Sequence, residues 1–113
     1  VVTRFVVEPA DATDFVARAH TALATLAARP GYRYGQLACS VDEPSRWCLV
    51  TDWESVGAYR RALSAYEVKL HATALLAGSL DEPSAYEVLV SAGADGAVTV
   101  ATSDRATAEP GSR

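Results

Sequence analysis

Residues 32–59, YRYGQLACSVDEPSRWCLVTDWESVGAY, decide the fold. The first part, residues 32–40, is aromatic and alternating; Val41-Asp42-Glu43-Pro44-Ser45 then collects turn formers, and residues 46–53 resume a strand pattern. Two strands joined by so short a turn form an antiparallel hairpin. Ser55 follows as an N-cap, and Val56, Tyr59, Leu63, Tyr66 and Leu70 space one apolar stripe along a helical region that runs to about Leu76. The spacing drifts near Ala65, which predicts a break or bend there.

Working outward, residues 1–8 read as a first strand with Val1, Thr3, Phe5 and Val7 on one face, ended by Pro9. Asp11 offers an N-cap oxygen to a helix carried by Phe15, Ala19, Ala22, Leu23 and Leu26 and stopped at Arg29-Pro30-Gly31. After the second helical region, Asp81-Glu82-Pro83 leads into a fourth predicted strand at 84–90, with Tyr86 and Val88 alternating against Glu87. The order β-α-β-β-α-β is the ferredoxin-like split unit, an α+β fold with an antiparallel sheet. The predicted domain covers residues 1–90. Residues 91–113 are small and polar and read as a mobile tail, with a short extra strand possible at 97–101. Both helices fall on one side of such a sheet, so the other face needs a cover. A second copy packed sheet to sheet supplies it, and a homodimer through the sheet faces is expected.

The chain has 113 residues, 50% of them hydrophobic and 21% charged, with a formal net charge of -4. No basic run provides the footprint that phosphate backbones require, so nucleic acid is not an expected partner. No apolar stretch reaches the roughly 18 residues of a membrane span, and residues 1–8 lack the pattern of a leader, which predicts a cytoplasmic protein without membrane contact. Cys39 and Cys48 have neither metal-binding nor scaffold spacing and read as reduced structural thiols. Twenty-two alanines, nine arginines against the single Lys69, and no isoleucine, methionine or asparagine are the usage of a GC-rich genome of actinobacterial type.

Several chemistries are absent from the pattern. There is no Gly-x-Ser-x-Gly elbow and no phosphate loop, since Gly93-Ala94-Asp95-Gly96 has the wrong spacing. His20 and His71 sit in no metal-ligand spacing, so no metal site is expected. What remains is a set of aromatics: Tyr32, Tyr34, Trp47, Trp53, Tyr59 and Tyr66. Tyr34 and Trp47, close to the hairpin turn, read as structural. Trp53 and Tyr59 are separated by one strand end and one helical turn, so indole and phenol can converge and line a pocket for a flat aromatic ligand. His71 reads either as a general base near neutral pH or as an ordinary helix-flank residue. His20 flanks the alanine-rich stripe, and Arg4 reads as a solvated or paired strand residue with a second reading as a pocket residue.

Asp52-Trp53-Glu54-Ser55 followed by Ala58-Tyr59, after a Pro30-Gly31-Tyr32 strand entry, resembles the antibiotic biosynthesis monooxygenase family of dimeric α+β barrels over about residues 1–90. The resemblance implies a homodimer with a pocket in each subunit between helices and sheet. Quinone-forming members oxidise polycyclic phenols with dioxygen and without metal or flavin, and their Trp and Tyr match Trp53 and Tyr59. Their strand Asn falls at Leu49 and their helical Arg at Thr73, with Lys69 and Arg60 as nearby cations. Haem-degrading members would place their Asn at Arg4, their Trp at Ala62 and their iron-ligating His at His71, so only the histidine matches.

The resemblance therefore implies a cofactor-free monooxygenase oxidising a polyketide-like phenol to a quinone. Trp53, Tyr59 and His71 would be catalytic, with Leu49, Thr73, Arg4 and Tyr32 lining the substrate pocket. In this reading Trp53 walls the pocket and gives its N–H to a substrate oxygen, Tyr59 bonds the phenol or peroxide, and His71 moves the proton. The alternatives are a non-catalytic member that binds a small aromatic ligand or serves a pathway as an accessory, and haem binding through His71.

Overall fold

In the computed structural model, which describes residues 1–103, the hairpin forms as β2 (Tyr32–Cys39) and β3 (Arg46–Trp53). β1 (Val2–Val6) pairs antiparallel with the other edge of β3, giving the order β1-β3-β2. β3 is the central strand. Its register aligns Phe5 and Cys39 with Trp47, Thr3 and Leu37 with Leu49, Gly35 with Thr51, and Tyr32 with Trp53. Because side chains alternate across a strand, these residues share one face. That face is covered by α1 (Ala12–Ala27) and by the later helices, and it holds a core in which Phe5, Phe15, Leu26, Leu49 and Val68 are buried.

A 3-10 turn at Pro9–Asp11 precedes α1. Asp11 does stand at the N-cap position, but its carboxylate makes no capping bond. The chain is already turning there (φ -100°, ψ -2°), and an N-cap side chain reaches back to the helix N–H groups from extended backbone. Ser55 has that extended backbone (φ -158°, ψ 162°), and its hydroxyl accepts from the Ala58 N–H at 3.0 Å, opening α2 (Val56–Leu63).

The helical region breaks where the spacing drifted. Ser64 and Ala65 close α2 with bonds to Arg61 and Ala62, Ala65 is extended (ψ 142°), and the chain restarts as α3 (Tyr66–His71) and α4 (Thr73–Ala77). The restart changes the phase. Tyr66 and Leu70, expected to continue the inner stripe, turn outward at 73% and 58% exposure, and Val68, Ala72 and Leu75 are buried in their place.

The fourth strand does not form at 84–90. Residues 85–89 carry no strand pairing, and the edge of β1 is met only where the chain crosses it, through Leu80 N–H to Arg4 O and Val2 N–H to Ser84 O. Pro83, with no N–H, interrupts donation at that crossing. Pairing resumes further on, as a separate antiparallel hairpin of β4 (Val90–Ala92) and β5 (Val98–Val100). The region expected as a tail thus begins with a hairpin whose second strand lies within the 97–101 stretch singled out from sequence. The rest of that tail, residues 104–113, lies outside the described residues.

Candidate active site

β3 places an indole at each end of one sheet face, and the end that leads into α2 gathers hydroxyl groups. Trp53 closes β3 at 6% exposure, and Tyr59 sits in the second turn of α2 at 8%. Their ring centroids are 5.6 Å apart at 53°, while Tyr32 stands nearly perpendicular to the Trp53 ring at 5.3 Å. Such edge-to-face and tilted arrangements set the positive ring edge against a negative π face.

The small residues of the motif have a packing reason. Gly31 has φ +88°, which a side-chain-bearing residue rarely adopts, and a Cβ there would lie 2.5 Å from the Ala58 Cβ. The Gly31 carbonyl accepts from the Glu54 N–H at 2.8 Å. The entry of β2 is thereby pressed onto the first turn of α2, which brings Tyr32 against Trp53.

Trp53 Nε1–H donates to Thr51 Oγ1 at 2.8 Å in a buried setting. Indole has one donor and no acceptor, so this bond uses its whole capacity. The hydroxyl of Thr51 keeps its own proton to donate. Sequence reading gave the indole N–H to a substrate oxygen and did not single out Thr51. The signal was there: Thr51 precedes Trp53 by two residues and so shares its face, a hydroxyl in an otherwise apolar row with Leu49.

Burial pushes the pKa of the Tyr59 phenol above its usual value, and burial followed by the neighbouring Tyr34 does the same for Tyr32. Both phenols are neutral near pH 7 and act as hydrogen-bond donors rather than bases.

The remaining sequence-predicted residues are dispersed. Leu49 is in the core on the Trp53 face, paired across to Leu37 and Thr3. Arg4 pairs with Cys48 on the opposite face of the sheet and holds Glu82 at 3.6 Å. Thr73 begins α4, its hydroxyl donating to Val68 O at 3.4 Å. His71 ends α3, half-exposed, 3.7 Å from Glu67, at the edge of an outer groove of about 400 Å³ shared with Arg18, Thr21 and Leu70. The groove lining does not include Trp53 or Tyr59. Among the described residues, no cluster of three or more His, Cys, Asp or Glu side chains could hold a metal ion, and no helix is long and apolar enough to cross a membrane.

A split α/β unit on an antiparallel sheet defines the ferredoxin-like α+β class. Residues 1–74 match the antibiotic biosynthesis monooxygenase family, and the chain belongs to that family. It is similar to SnoaB, a cofactor-independent oxygenase from Streptomyces nogalater, at 32% identity over 78% of this chain and 92% of that one, with a TM-score of 0.61. A conserved protein from Methanosarcina mazei Go1 shares the fold at 15% identity, with 74% and 82% of the chains covered and a TM-score of 0.61. No curated protein matches the chain.

Proposed function

We propose that this protein is a cofactor-independent monooxygenase that oxidises a flat, polyketide-like phenol to a quinone with dioxygen. The observation that carries the reading is the nest of buried Trp53 and Tyr59 with part-buried Tyr32 and the buried Thr51 hydroxyl, in a chain similar to a cofactor-independent oxygenase.

Such a reaction asks little of the protein because the substrate supplies the electrons. A hydroxyanthrone loses a proton to become an electron-rich phenolate, which passes one electron to dioxygen. The resulting carbon radical and superoxide combine into a C–O bond, and the peroxide takes up a proton. Loss of the second C–H proton with cleavage of the O–O bond then leaves a carbonyl and water. The four electrons that reduce dioxygen come from the two C–H bonds of one carbon. The chain holds the ring in a dry site and gives hydrogen bonds to the developing oxyanions. Trp53 supplies the wall, while Tyr59 and Thr51 supply O–H donors. The indole N–H stays with Thr51.

Oxidation of dithranol under air, followed by quinone absorbance, tests the reading. Turnover above background that falls about tenfold or more in Tyr59→Phe, in line with the loss of one oxyanion donor, supports it. No turnover by the native chain rejects it for hydroxyanthrones. The second reading, a ligand-binding member without turnover, is favoured by one observation: Leu49 and Thr73 stand where quinone-forming members are expected to carry Asn and Arg. Binding of a hydroxyanthraquinone without dithranol oxidation would select it.

The acting unit in this proposal is a homodimer. The uncovered face of β1-β3-β2 exposes Val6 and Tyr34, and the extended arm beyond it exposes Tyr86, Val88, Val90 and Val100. The radius of gyration is 15.9 Å, against about 13 Å for a compact domain of this length. A second copy covers this surface, and light scattering at micromolar concentration is expected to give twice the chain mass. The mass of one chain would reject the dimer.

A further inference from the structure

Gly35 lies within β2 opposite Thr51, on the covered face of the sheet. Its backbone needs no glycine, since among the described residues only Gly31 and Gly96 have positive φ. Space is what needs it. A Cβ at Gly35 would stand 2.6 Å from Tyr32 Oη, 3.0 Å from Leu23 Cδ1 and 3.1 Å from Thr51 Cγ2. The sheet floor is therefore hollowed by one side chain, and the end of the Tyr32 phenol fills the hollow.

Tyr32 is held there by shape. Its ring rests edge-on to Trp53 and its hydroxyl makes no hydrogen bond with a described residue. The side chain is only partly buried, and it follows Gly31 and precedes the register irregularity between Tyr32 and Tyr34. A phenol ring thus lies against the indole with its oxygen over the glycine, beside the methyl of Thr51.

We propose that the phenol of Tyr32 occupies the seat that the phenolic ring of the substrate takes, and that Gly35 makes this seat. The proposal rests on the reading of the nest as an aromatic-phenol site, and it changes the part Tyr32 plays from pocket wall to competitor. A ligand must displace the Tyr32 side chain, so its apparent affinity is the intrinsic affinity multiplied by the fraction of molecules with the seat open. One ring edge bearing a hydroxyl fits the hollow, and a methyl group on the floor closes it.

Binding of a hydroxyanthraquinone, which cannot be oxidised further in this reaction, is to be followed by quenching of tryptophan fluorescence. Measurements compare the native chain, Tyr32→Ala, Tyr32→Leu, Gly35→Ala and the Tyr32→Ala/Gly35→Ala double variant, with far-UV circular dichroism as the check on folding. Tyr32→Ala is expected to bind about tenfold more tightly than the native chain, which corresponds to a seat open about a tenth of the time. Tyr32→Leu is expected to lie between them. Adding Gly35→Ala to Tyr32→Ala is expected to weaken binding at least tenfold. Weaker binding by folded Tyr32→Ala and Tyr32→Leu makes Tyr32 a wall and overturns the proposal, as does a Gly35→Ala change with no effect in the Tyr32→Ala background. Binding by neither the native chain nor Tyr32→Ala overturns the aromatic-phenol reading itself and the seat with it.

Discussion

The two ends of β3 carry the same residue in different company. At the hairpin end Trp47 packs edge-on against Phe15 at 5.5 Å, and Phe15 against Phe5 at 5.0 Å; the Trp47 N–H is buried and has no partner among the described residues. At the other end, Trp53 is surrounded by Tyr32, Tyr59 and Thr51, and its N–H is satisfied. One aromatic cluster is hydrocarbon and fills volume. The other carries three hydroxyl groups around an anchored indole and can meet the oxygens of a phenol. Indole content alone therefore does not mark a site; the hydrogen-bonding company of the ring does.

The largest expected effect of any substitution along β3 is at Trp53. Trp53→Ala should cost about 3–5 kcal/mol of unfolding free energy in urea, the usual range for truncating a buried aromatic. Thr51→Val comes next. It keeps the shape but leaves the buried indole N–H without an acceptor, at a cost of about 1–3 kcal/mol. A Thr51→Val protein as stable as the native chain would mean that the two indoles are equivalent after all.

The matched pair Trp53→Phe and Trp47→Phe separates the clusters by size of effect. Trp53→Phe loses a made hydrogen bond together with ring contacts, whereas Trp47→Phe removes a donor that had no partner. The penalty for an unsatisfied buried group, about 1–3 kcal/mol, offsets the lost packing, so Trp47→Phe should lie within about 1 kcal/mol of the native chain. Equal losses from the two changes would break the comparison.

A smaller effect concerns pH. Burial makes Tyr59 hold its proton more tightly in the folded than in the unfolded chain, whose tyrosines titrate near 10.0. The associated stability is complete below that pH and is lost as pH rises through the higher folded value. Urea midpoints of the native chain should fall above about pH 10, and less steeply in Tyr59→Phe. The smallest effect is expected at His71, whose 3.7 Å contact with Glu67 is exposed. His71→Ala should change stability by under about 0.5 kcal/mol. Its dithranol rate should match that of the native chain; a loss as large as that of Tyr59→Phe would move the proton-transfer group to the outer groove.

Much of this was legible locally. The breakers between Val41 and Ser45, the hydroxyl at Ser55 and the alternation of β1 and β3 each act over a few residues, and the corresponding elements formed. The helix break near Ala65 showed as a drift in spacing, but the new phase after it did not, because one extended residue resets the rotation of everything that follows. Asp11 stood at the correct position, yet the preceding 3-10 turn took away the backbone geometry a cap needs. The strand expected at 84–90 had the right alternation and the open edge of β1 beside it, yet the chain only crosses that edge at Leu80 and Ser84, a path the alternation of the segment does not encode.

For the candidate site, residue type marked Trp53, Tyr59 and Tyr32, and the small residues Gly31 and Ala58 accompanied them in the motif. The absence of asparagine likewise showed from composition alone that the strand Asn implied by the resemblance has no counterpart in this chain. Tertiary structure alone decided three further things: Thr51 takes the indole proton, Gly35 leaves room for the Tyr32 phenol, and Arg4 faces away from the nest. Each depends on which residues β-pairing sets opposite or beside one another across segments distant in the chain. Local sequence chose the strands and helices, but register and packing chose the neighbours of each ring, and those neighbours determine which hydrogen-bonding groups remain for a ligand.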